Sequence, residues 1–170
     1  MTAAIHLPKG LPAWTLRLAA ALACVAIAGV LSANGVQHVA LGLFAVISLA
    51  AVAVPASAAP ALVIGFAALA SAFAGGDPLR PGILVMIVLL HFLHVTCAVA
   101  AVLPPGARLH PGSLRQPAKR FAVTQLLVFA FAAVIAVLPA GGKIVPVEVV
   151  GLLCGVGLVV AAVVALRARS

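Results

Sequence analysis

The chain has 170 residues, of which 66% are hydrophobic and 7% charged, with a mean hydropathy of +1.36. A soluble domain carries roughly a quarter charged residues, so a soluble globular protein is excluded and lipid must solvate most of the chain. The net charge of +8 does not point to nucleic acid, because the basic residues stand at the ends of apolar runs, where topology and anionic headgroups account for them.

Residues 1–13 are short and mildly polar, and Pro8 and Pro12 oppose a helix there. The first apolar run, 14–31, opens on Trp14, a ring suited to the membrane interface, and Arg17 can snorkel back to the headgroups. With Lys9 and Arg17 in front and small residues behind, this run has the outline of a signal peptide. Leu31 fills a position that cleavage wants small, so an uncleaved helix is expected. Asn34-Gly35 then marks a turn. A second run, 38–54, is separated from a third, 59–74, by Pro55, Ser57 and Pro60. The whole stretch 36–74 is too long for one span of about 20 residues. Two spans are expected, with a single re-entrant hairpin as the alternative.

Residues 75–82 form the next loop, where Asp77-Pro78 has the pattern of an N-cap followed by proline at the first helical position. The fourth run, 83–103, stops at Pro104-Pro105-Gly106. Residues 104–120 are expected to be a basic cytoplasmic loop, holding Arg108, Arg115, Lys119 and Arg120, with turn signals at His110-Pro111-Gly112 and Gln116-Pro117. The fifth run is 121–138 and the sixth 146–166, closed by Arg167 and Arg169.

The expected fold is therefore all-α: a polytopic membrane helix bundle, one transmembrane domain over 1–170, with six transmembrane helices and both termini cytoplasmic. Short basic loops stay inside, and six spans place Lys9, Arg17, Arg108, Arg115, Lys119, Arg120, Arg167 and Arg169 on one side. Arg80 and Lys143 fall on the other. Four spans satisfy the same rule if 36–74 is re-entrant. An Ala- and Val-rich chain with no Tyr suits a GC-rich bacterial genome, and the expected location is the bacterial cytoplasmic (inner) membrane.

His91 and His94 share one face of the fourth run and lie near mid-depth, where ionisable groups are costly. With Thr96, Cys97 and Glu148 they make up the candidate intramembrane polar site. Three readings of the histidines compete: neutral rings hydrogen-bonded across a helix interface, part of a metal or cofactor site, or part of a proton or ion path. Met86, His91, His94 and Cys97 are ligand types suited to a soft metal, but they extend over about three turns and would be separate stations. Glu148 suits the helix N-terminus it stands at, with Lys143 as a plausible partner. Were it turned inward, it could meet His91. Gly151 and Gly155 form a GxxxG packing face, and Thr124 and Gln125 are candidates for interhelical hydrogen bonds. Cys24, Cys97 and Cys154 form no CxxC pair and suggest no disulfide framework.

No nucleotide, hydrolase, zinc-protease or kinase motif is present. The expected function is a non-catalytic accessory or structural subunit of a larger inner-membrane assembly. Its expected partners are membrane lipids, other integral membrane subunits or further copies of itself, with no nucleic acid and no cofactor. The alternative is a small oligomeric transporter or channel for a metal ion or proton, built on the fourth run. A third possibility is a redox or cofactor-binding membrane subunit.

Overall fold

A computed structural model describes residues 10–75, 77, 79–104 and 106–137. Packing divides the chain into two units, Met1–Ala133 and Val134–Ser170, and the bundle belongs to the first. In chain order the described elements are β1 (Leu11–Pro12), α1 (Trp14–Ala33), α2 (His38–Ala53), α3 (Ala59–Phe73) and α4 (Pro81–Ala101). They are followed by β2 (Arg108–Leu109), a 3-10 turn (Pro111–Leu114) and α5 (Arg115–Val137).

Local chemistry sets most of these limits. Helix α1 ends in a Schellman cap: the Val36 amide donates to the Leu31 carbonyl at 3.1 Å and the Gly35 amide to that of Ser32 at 3.0 Å. Gly35 takes φ +79 to close it, a conformation in which a Cβ is strained. The turn into α3 is pinned by Ser57, whose hydroxyl donates to the Val54 carbonyl at 2.7 Å and accepts from the Ala59 amide at 3.2 Å. Pro60 and Pro81 lie in the first turns of α3 and α4, where a missing amide proton leaves no helical bond unmade.

Helices α1 to α4 pack around one core. Ile27, Leu31, Phe44, Val63 and Leu93 are its largest fully enclosed side chains, and Ala20, Ala23, Ala51 and Ala67 fill the gaps. Small residues let helix backbones approach where lipid removes the hydrophobic driving force. The α1–α4 contact is the most extensive, and α1–α2 and α2–α3 follow. Phe44 meets Phe66 across α2 and α3 with ring centroids 5.9 Å apart. The outer surfaces stay apolar, with Val39, Val46, Leu49 and Phe73 among the exposed side chains. That is the surface lipid requires.

The segment before α1 pairs with the connection after α4. Leu11 faces Leu109 and Pro12 faces Arg108 in an antiparallel ribbon, and the Ala13 amide donates to the Ala107 carbonyl at 3.1 Å. At the opposite end, Gly82 lies against Asn34. Helices α1 and α4 are thus antiparallel. The start of α1 and the end of α4 share one face of the bundle, which carries Arg108.

The expectation of six transmembrane helices is overturned. The described residues hold five α-helices, and three segments are long and apolar enough to cross a membrane: Trp14–Ala33, Pro81–Ala101 and Pro111–Val137. Helices α2 and α3 have 16 and 15 residues, about 24 and 22 Å at the α-helical rise, against a hydrocarbon core of about 30 Å. The prolines and Ser57 at 55–60 use up the residues that would lengthen both helices. The run at 146–166 lies outside the described residues, and with it the side of the C-terminus. The fold is also not purely helical, since the β1–β2 ribbon ties the chain together at the basic end.

Two local expectations change as well. Arg115, Lys119 and Arg120 stand on the first two turns of α5, not in a loop. Pro117 is its third residue, where proline costs no intrahelical bond, so Gln116-Pro117 begins a helix. Asp77 caps no helix. Its Oδ1 accepts from the Leu79 amide at 2.8 Å, in a local turn that begins three residues ahead of the Arg80 cap of α4.

Candidate functional site

The polar residues of α4 separate by helical angle. At about 100° per residue, Met86 and Cys97 come back to nearly the same direction, and both are buried in the core. Thr96 is buried as well. His91 and His94 are turned away from Met86 by about 140° and 80°, toward the side where α5 lies. The stripe of Met86, His91, His94 and Cys97 is therefore two groups on different faces. Among the described residues, no three of His, Cys, Asp and Glu gather where they could hold a metal ion.

His91 meets α5. Its Nδ1 lies 2.9 Å from Nε2 of Gln125. An amide nitrogen only donates, so Nδ1 carries the lone pair and the neutral ring keeps its proton on Nε2. The imidazole also rests on Phe121, with centroids 4.8 Å apart and planes tilted by 32°. Phe121 in turn meets Phe92 edge-on at 6.1 Å. Gln125 is the buried residue of α5, and its Oε1 has no hydrogen-bond partner among the described residues. Phe121 and Gln125 are four apart and so face the same way. That spacing was available in the sequence, but the role of Phe121 could not be read without knowing that His91 lies opposite.

Beside this junction runs an open groove of about 350 Å³, lined by His91 and His94 from α4 and by Gln116, Arg120, Phe121 and Thr124 from α5. Gln116, Arg120 and Thr124 follow one another at intervals of four and form a polar ladder facing the histidines. Val95, Ala98 and Val102 supply the apolar wall. His94, Gln116, Arg120 and Thr124 are exposed and His91 is half-buried. The two grooves on either side of α1 are apolar by contrast, with Ala21, Val25 and Val52 in one and Leu16, Ala19 and Val99 in the other.

The charges at this end are uncompensated among the described residues. Arg108, Arg115, Lys119 and Arg120 carry no ion pair to a described carboxylate. The described acid, Asp77, belongs to the connection before α4 and so to the opposite end of that helix. Of the candidate site, the structure thus brings His91 and His94 together with Arg120 and turns Thr96 and Cys97 toward the core. Glu148, its possible approach to His91, Lys143, Gly151 and Gly155 lie outside the described residues. Sequence reading missed Gln116 as part of the site. Its signal was the four-residue spacing to Arg120 and Thr124 on a helix that begins earlier than expected.

Several long apolar helices with lipid-compatible outer faces are those of a membrane protein with more than one span. The chain matches no protein-family model, no curated protein and no solved structure.

Proposed function

We propose that this protein is a non-catalytic accessory subunit of a bacterial inner-membrane assembly, and that it joins its partners through α5. The observation that carries the reading is how little of the described chain holds that helix. Of the best spanning window in α5, 6% is buried, against 28% in α1 and in α4. Its packing on the bundle centres on Gln125, Phe121 and the turns before them. Beyond it, Leu126, Leu127, Phe129 and Phe131 stay exposed. Helices in lipid associate by close packing and by polar contacts between them, and α5 makes few of either with the described residues. A partner helix against this face would supply that packing. The basic end is assigned to the cytoplasm by the bias of Lys and Arg toward inside loops.

The test is site-specific crosslinking in native membranes, with a photoreactive residue at Phe131 on α5 or at Val46 on α2. A discrete protein adduct from Phe131 alone is expected. Lipid adducts from both positions, with no protein adduct, would contradict the reading. The transporter alternative draws on one observation, the polar groove that reaches His91 from the basic end. It requires ion flux in vesicles holding the purified protein alone, and loss of that flux in His91→Phe.

A further inference from the structure

We propose that the groove between α4 and α5 is a binding site for the phosphate headgroup of an anionic phospholipid. The proposal does not depend on the subunit reading, since it needs only α4, α5 and a bilayer. Three features of the groove specify its occupant. The first is charge: Arg120 lines the groove, and Arg115 and Lys119 stand on the same two turns of α5 with no described carboxylate at that end. A guanidinium with no acidic partner among the described residues suits an external anion, and phosphate matches its planar donors.

The second feature is depth. Arg120 is five residues into α5, about 8 Å along the axis, a depth from which its long stem can carry the head back to the surface. A soluble anion would stop at the rim. A lipid places its phosphate at the level the head of Arg120 reaches, with its chains running further in. The third feature is the order of groups along the groove. Gln116 and Arg120 come first from the basic end, donors for phosphate oxygens. Thr124 follows one turn deeper, with His94 facing the ladder from α4. These are donors at the level of the glycerol ester carbonyls, which lie below the phosphate. Val95, Ala98 and Phe121 flank these polar groups, at their level or nearer the basic end, as the apolar wall of the groove. A headgroup that carries apolar chains matches polar donors set beside an apolar wall, and the groove is open to admit it.

The test uses the full chain reconstituted into nanodiscs of phosphatidylcholine containing a minority of phosphatidylglycerol, with retained lipids counted by native mass spectrometry. The expected result is enrichment of phosphatidylglycerol on the protein, lowered about fivefold in Arg120→Gln, the change one basic residue near an anionic surface carries. It is also expected to fall in Gln116→Leu and His94→Leu, which remove no permanent charge, and to be kept in Arg108→Gln, whose residue lies outside the groove. Circular dichroism of each variant confirms that its helices are intact. Equal retention of the two lipids would overturn the proposal. So would an equal loss in Arg108→Gln and Arg120→Gln, which marks diffuse attraction, or displacement of the lipid by inorganic phosphate, which marks a free-phosphate site.

Discussion

Gln125 Nε2 lies 2.9 Å from Nδ1 of His91 and joins α5 to α4. The two residues are 34 apart in the chain, and the contact forms only because the connection after α4 reverses direction. In lipid, a single such bond between helices contributes about 0.6 kcal/mol on average and up to about 1.7.

A double-mutant cycle between His91→Phe and Gln125→Leu should therefore give a coupling of about 0.6 to 1.7 kcal/mol. Unfolding in mixed micelles measures it. Each single change should loosen α5 without melting α1 to α4, since the core of Ile27, Leu31, Phe44 and Leu93 does not include it. A coupling of zero would mean that the two side chains do not meet.

Phe121→Leu keeps apolar volume but removes the ring that lies on His91 and meets Phe92. Aromatic pairs carry about 0.5–1.5 kcal/mol beyond the area they bury. Amide exchange in the first turns of α5 should rise, while that of α1 is unchanged. Unchanged exchange in α5 would show that the ring has no part in holding the helix.

Gly10 sits where the ribbon backbones meet, and a Cβ there would stand 2.8 Å from the Leu109 carbonyl oxygen. Gly10→Val should separate β1 from β2, and the connection after α4 should become a site of protease cleavage. Resistance equal to that of the unaltered protein would show that the ribbon does not protect this connection.

Gly35→Ala should destabilise the end of α1 by about 1–2 kcal/mol, because φ +79 is a left-handed conformation. Gly29→Ala, in the middle of the same helix and with nothing within 4 Å of an added Cβ, should be neutral or slightly stabilising. Thermal melts of the two variants in one detergent give the comparison. An equal effect would argue against the Schellman cap.

The local features of the fold were open to sequence reading where chemistry is local. Trp14 opens α1, Asn34-Gly35 closes it and Pro104 follows α4, because caps, prolines and interfacial rings act on their own neighbours. The number of crossings was not legible. Charge bias fixes which side a loop prefers but leaves an even number of crossings undetermined, and the turn at 55–60 leaves α2 and α3 short of a bilayer. The start of α5 was misread because Pro117 signals a turn in the middle of a helix and none in its first turn. In the candidate site, the spacing of His91 and His94 placed them on one face. That Cys97 and Met86 belong to the opposite group follows from the helical angle, but which face meets the core depends on α1 and is not local. The Gln125 contact needed the reversal after α4, which no single stretch of sequence contains.

The central claim is that α1 and α4 cross the bilayer antiparallel, with the β1–β2 ribbon on one surface and the Asn34–Gly82 junction on the other. Single cysteines at Leu11, Leu109 and Asn34, in a chain whose native cysteines are replaced by Ala, can be labelled with a membrane-impermeant thiol reagent in sealed, inside-out or right-side-out vesicles. The account predicts that Leu11 and Leu109 are labelled in one orientation and Asn34 only in the other. Labelling of Leu11 and Leu109 from opposite sides, or of all three from the same side, would contradict it.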